Sequence, residues 1–200
     1  MVLLVVAARL PGSPPKTYAP AHEIVAFVSQ HQRALQFGAF LNGVGTIALL
    51  LWSAALWRML RRAGREVQHL AVAAMGGLVV FVAATNTAFA IQSALAMRVK
   101  ELPPAEAKFF FGLSRLVFDA GAFGAAVLVA VTALVARRAE LGPMWLAKAG
   151  FGLAAAWVVA GYGIADHHVV IDSLGLAVLV AWLGWIVALS VVMLRLPDSD

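Results

Sequence analysis

Residues 109–136 read FFFGLSRLVFDAGAFGAAVLVAVTALVA, a run long enough to cross a bilayer and apolar except for Ser114, Arg115, Asp119 and Thr132. A helix rising 1.5 Å per residue needs roughly 20 predominantly apolar residues to span about 30 Å of hydrocarbon, so this stretch predicts a transmembrane helix. Inside it, Arg115 and Asp119 stand four residues apart. A lone Arg or Asp at the centre of such a helix costs about 2.5 to 3.5 kcal/mol, so each charge must face a partner or a polar cavity.

Four further runs have the same character, near 34–57, 70–97, 144–164 and 173–194. The fold class is therefore all-α, a polytopic bundle of five full spans in a single integral membrane domain over residues 1–200. Composition agrees: the chain is 62% hydrophobic and 12% charged, with a mean hydropathy of +0.89. Those values lie far from a soluble domain. The net charge of +5 does not signal nucleic acid, because the basic residues flank apolar runs rather than forming a patch with exposed aromatics.

Arg58, Arg61, Arg62 and Arg65 follow the first span, and Arg137, Arg138 and Lys148 surround the connection between the third and fourth. The positive-inside rule places those loops in the cytoplasm. The connections at 98–108 and 166–172 then lie outside, and Arg195 closes the last span inside. Residues 1–10 are apolar but half the length of a span and are followed by Pro11, Pro14 and Pro15. They are expected to form a short half-helix, shortened in this protein or cut by the choice of start codon. Both termini are then cytoplasmic, at a bacterial inner membrane.

Residues 11–33 form an outer segment. Within it Ile24, Phe27, Val28 and His31 share one stripe at helical spacing. That pattern fits an amphipathic helix on the outer interface turning into the membrane near Arg33, or a plain extension of the first span.

Depth decides which polar residues can meet, because successive spans run in opposite directions. Counted at 1.5 Å per residue from the outer ends, Asn42 lies about 12 Å deep, Asn86 roughly 16 Å, Arg115 about 10 Å and Asp119 about 16 Å. Thr85 and Thr87 flank Asn86, and Gln92 is shallower. These residues share one layer in the outer half. One reading is an outward-facing pocket with Tyr162 and Asp172 near its mouth, in which Arg115 holds an anionic head group or carboxylate and Asp119 orients it or binds a proton. In the other, Arg115 and Asp119 neutralise each other while Asn42 and Asn86 join helices as glue.

A second cluster, Asp166, His167, His168 and Asp172, lies in the outer loop between the last two spans, with His22, Glu23 and His31 on the same side. Imidazole and carboxylate ligate zinc or copper. A metal site made of His167, His168, Asp166, His31 and His22 would require these distant positions to converge. The chain has no cysteine, which removes thiolate ligands and a cysteine nucleophile. Haem is not expected, since His69 sits at the inner edge and the other histidines outside. Retinal needs an intramembrane lysine, and a nucleotide site needs a phosphate loop; neither is present.

Small residues recur four apart at Ala120 and Gly124, Gly121 and Ala125, and Gly184 and Ala188, which suits tight packing within the chain, a homo-oligomer or a place in a larger membrane complex. Trp52, Trp57, Trp145 and Trp157 include interfacial anchors, with Trp57 and Trp145 at the predicted cytoplasmic boundary. Trp182 and Trp185 lie mid-span, placed to pack against a partner or ligand.

Three short motifs, Ala21-His22-Glu23-Ile24-Val25-Ala26-Phe27 after a Pro-rich stretch, Pro103-Pro104-Ala105-Glu106-Ala107, and Leu141-Gly142-Pro143-Met144-Trp145-Leu146, carry a resemblance. The chain resembles a widespread bacterial family of small multi-pass membrane proteins of unknown function. That resemblance implies a six-helix membrane fold and supplies no catalytic residue; the curtailed first helix departs from the pattern. The expected function is binding of a lipid or small amphiphile in the outer polar pocket, or service as an accessory subunit, rather than enzymatic activity. The rivals are a small transporter or permease, which would use the polar layer as a half-open pathway, and a membrane metalloenzyme built on the outer histidines. Against transport, the chain has no internal repeat and no paired broken helices.

Overall fold

The computed structural model describes residues 12, 14–64, 67–162 and 169–195, and among these it contains six helices and no strand. They are α1 (Ala21–Gln30), α2 (Gln32–Arg62), α3 (Gln68–Arg98), α4 (Pro104–Arg138), α5 (Met144–Gly161) and α6 (Val169–Arg195). Five of them, α2 to α6, are long and apolar enough to cross a membrane. The protein is thus a multi-pass helical membrane protein. The half-helix expected over residues 1–10 lies outside the described residues.

Helix ends follow local chemistry. Pro104 occupies the first turn of α4, where its missing N–H costs nothing, and Glu106 lies in the same turn against the positive end of the helix dipole. Arg61 and Arg62 end α2, Arg98 ends α3, Arg137 and Arg138 end α4, and Arg195 ends α6, each complementing carbonyls without intrahelical partners. Gly64, at φ +94°, takes the left-handed turn after α2 that a side chain would resist. The ends of α2, α4 and α6 lie together and make one basic end of the bundle; the other is called the distal end below.

The spans pack α2 on α3, α3 on α4, α4 on α5 and α5 on α6. The tightest crossing is between α3 and α4. An ideal Cβ on Gly77 would lie 2.6 Å from the Gly124 carbonyl oxygen, and one on Gly124 would lie 2.6 Å from the Gly77 carbonyl oxygen and 2.7 Å from the Phe81 nitrogen. Lipid tails are as apolar as leucine, so contact between spans is gained by close backbone approach, and glycine permits it. Gly150 does the same between α5 and α4, where an added Cβ would lie 2.7 Å from the Ala133 Cβ. Gly121, Gly124 and Ala125 are accordingly buried within the chain. An ideal Cβ on Gly184 would meet nothing within 4 Å.

Trp182 and Trp185 pack inside the bundle rather than against an external partner. Trp182 is fully buried, with its ring centroid 5.0 Å from Phe81 and 5.7 Å from Trp157, both edge to face. Trp157, grouped with interfacial anchors on sequence, is likewise a core residue. The Trp185 indole donates to the Leu146 carbonyl at 3.0 Å. Trp52 donates to the Ser190 hydroxyl at 3.0 Å and ties the first span to the last near the basic end. Trp57 lies at that end under the Arg61 guanidinium, and Trp145 is exposed there, as the boundary assignment expects.

Helix α1 is a separate element, broken from α2 at His31 (φ −111°, ψ 19°). Its apolar stripe is covered by protein: Ile24 and Val28 are buried with Leu95, Ala96, Val99, Ala107 and Phe111 at the distal ends of α3 and α4. The segment before it follows the same surface, with the Thr17 methyl 3.5 Å from where a Cβ on Gly112 would be. The amphipathic stripe expected to meet the membrane interface therefore caps the α3–α4 hairpin.

Candidate functional site: a polar layer in the distal half

Measured along the observed helices from their distal ends, Asn42 lies about 15 Å in, Asn86 about 18 Å, Arg115 about 16 Å and Asp119 about 22 Å. Of the residues expected to share a layer, the structure brings two into direct contact. Asn42 and Asn86 meet: the Asn42 Nδ2 donates to the Asn86 Oδ1 at 2.9 Å. Asn86 in turn donates through Nδ2 to the Thr46 hydroxyl at 3.2 Å and to the Val82 carbonyl at 3.0 Å, and the Thr46 hydroxyl is 3.4 Å from the Asn86 Oδ1. Thr46 was not singled out from sequence, although its place one turn beyond Asn42 puts it on the same helical face.

This network does bind α2 to α3, as the glue reading requires. It also leaves one group over. Asn42 is 1% exposed, and its Oδ1 accepts no hydrogen bond. A buried acceptor without a donor costs about 1 to 3 kcal/mol. Asn86 and Thr46 are only half-buried, so the network is reachable from their side. Thr85 is buried and satisfies itself through the Phe81 and Val82 carbonyls, while Thr87 is exposed.

Arg115 and Asp119 are both half-buried on α4, and neither is without a partner. They sit just below the α1 cap: Phe111, one turn above Arg115, packs into the Ile24 and Val28 cluster, and the buried Ser114 bonds the Phe111 carbonyl at 2.8 Å. Helix α1 thus roofs the end of α4 that carries the two charges. Gln92 is half-buried one to two turns distal to Asn86, and Tyr162 is exposed at the end of α5. The side chain of Asp172 lies outside the described residues, so the proposed mouth is represented by Tyr162.

For the metal reading, Asp166, His167 and His168 lie outside the described residues. His22 is exposed. His31 is engaged at the α1–α2 break, with Nδ1 2.8 Å from the Phe27 carbonyl and its ring 4.6 Å from the Phe27 ring. Among the described residues no three His, Asp or Glu side chains converge on one point.

The fold defines the class, a multi-pass helical membrane protein with five helices among the described residues long and apolar enough to cross a membrane. No family model, curated protein or solved structure matches the chain.

Proposed function

We propose that the protein binds a lipid or small amphiphile in this layer, as an inner-membrane protein whose basic end faces the cytoplasm and whose polar layer opens outward. The observation that carries the reading is the unspent acceptor of Asn42, buried at the depth of a half-buried Arg115. A ligand with a hydroxyl or ammonium beside an anionic group satisfies both: its donor serves the Asn42 Oδ1 once the carboxamide turns toward the half-buried Thr46 side, and its anion meets Arg115. Arg115 binds by charge and its planar fork, a geometry suited to carboxylate or phosphate. The positive-inside rule supports the orientation, since Arg58, Arg61, Arg62, Arg137, Arg138 and Arg195 gather at one end.

The test is extraction of the protein in mild detergent followed by analysis of the lipid that stays with it. The wild type should carry one more lipid per chain, in constant ratio, than Arg115→Ala. Lipid content unchanged by that substitution removes the proposal.

A further inference from the structure

At the basic end, remote from the polar layer, the turn between α4 and α5 folds over a cavity of about 350 Å³. Its floor includes the buried Leu146 and Leu189, with Val192 and Gly142 on its wall. The two charged residues that line it are Arg137 and Glu140, both exposed. The volume falls at the lower end of the roughly 300 to 1,000 Å³ typical of small-molecule sites. Its position is that of a lipid head group, because the exposed Trp145 and the terminal arginines of α4 and α6 mark the bilayer boundary beside it.

Glu140 adds an independent observation. The turn closes as a Schellman motif, with the Leu141 nitrogen donating to the Ala136 carbonyl at 3.0 Å, and Glu140 occupies its left-handed position at φ +51°. Glycine normally stands there, because a side chain is strained in that conformation. A carboxylate is therefore held at the mouth of an apolar cavity, three residues from an arginine and at conformational cost.

We propose that this cavity seats the head group of a zwitterionic glycerophospholipid carrying a phosphate and a primary ammonium. Arg137 receives the phosphate through its guanidinium fork, and Glu140 accepts hydrogen bonds from the ammonium. The upper part of the acyl chains covers Leu189 and Val192, and the rest runs along the lipid-exposed surface beside Val191. A purely anionic head group leaves the Glu140 carboxylate facing like charge, and a quaternary ammonium has no N–H to give it. The two charges of opposite sign thus select for a phosphoethanolamine-type head group over a phosphoglycerol or phosphocholine one.

The experiment uses delipidated full-length protein, titrated with dioleoyl phosphatidylethanolamine, phosphatidylglycerol or phosphatidylcholine and read by native mass spectrometry. Wild type should retain the ethanolamine lipid about fivefold better than either other, the factor one side-chain charge contributes at a membrane surface. Arg137→Gln should lower that retention about fivefold, and Glu140→Gln should reverse the preference in favour of phosphatidylglycerol. Arg61→Gln, a charge removed at the same end but outside the cavity, should change nothing. Both cavity residues are exposed, so circular dichroism and melting of their variants should match the parent. Retention of phosphatidylglycerol as strong as that of the ethanolamine lipid by wild type overturns the proposal. So does an equal loss from Arg61→Gln and Arg137→Gln, or a dimer mass in place of a lipid adduct. None of these substitutions touches the distal polar layer, so the two binding readings stand or fall separately.

Discussion

Gly76 and Gly77 are adjacent, yet alanine should act on them with opposite sign. A Cβ on Gly77 would lie 2.6 Å from the Gly124 oxygen and 2.8 Å from the Leu128 nitrogen, both backbone atoms of α4. Ordinary contact begins near 3.4 Å, so the two helices must part by about 0.8 Å where no side chain can turn aside. Overpacking of this kind costs typically 1 to 3 kcal/mol, and the upper end applies when backbone is the obstacle. The better helix propensity of alanine returns up to about 1 kcal/mol, leaving Gly77→Ala destabilising by roughly 2 kcal/mol. A Cβ on Gly76 would meet nothing within 4 Å, so Gly76→Ala keeps the propensity gain alone and should stabilise by about 0.5 to 1 kcal/mol. Gly124→Ala should resemble Gly77→Ala, and the double variant should cost less than the sum, because parting the helices for one methyl makes room for the other. Unfolding in mixed detergent micelles, followed by tryptophan fluorescence, measures all four; two of the six tryptophans that report, Trp157 and Trp182, pack on Phe81 of the same crossing. Gly76→Ala and Gly77→Ala within about 0.5 kcal/mol of each other would refute the close-approach argument.

Three other sets of substitutions test separate parts of the fold. Asn86→Leu strips Asn42 of its one side-chain partner and should cost about 1 to 3 kcal/mol, whereas Asn42→Leu with Asn86→Leu should lie closer to the parent; the same unfolding assay compares them. Arg115→Leu alone should be more destabilising than Arg115→Leu with Asp119→Leu if the two charges compensate each other, and equal melting points would count against that coupling. Ile24→Ala empties a fully buried site outside the spans and should cost about 2 to 4 kcal/mol of α1 docking, seen as faster proteolysis between residues 14 and 30 with the spans intact.

Five spans could be read from hydropathy because 20-residue apolar runs are rare for any other reason; α2, α3, α4 and α6 extend the predicted runs to their terminal arginines, and α4 back to Pro104, while α5 ends at Gly161, short of the predicted 164. Asn42 and Asn86 could be paired because depth along opposed helices is a count of residues. What could not be read was the direction each face points. In α5 and α6 nearly every position is apolar, so lipid-facing and protein-facing sides carry no contrast, and Trp157 and Trp182 gave no sign of being core. Small residues gave a partial signal: Gly121 and Gly124 do mark a crossing, while Gly184 faces open space. For α1 the period revealed an apolar stripe but not its cover, since the bilayer interface and the hairpin of α3 and α4 reward the same Ile24 and Val28. The Thr46 bond and the Arg137–Glu140 cavity depend on side-chain directions and a turn geometry that spacing alone does not encode.

The mass of the intact protein, released from native membranes without added lipid, tests the distal binding site most directly. Wild type should carry one amphiphile of constant mass more than Arg115→Leu with Asp119→Leu, a variant expected to stay folded because both charges go together. The same bound mass on both would mean that the layer closes on itself and holds no ligand.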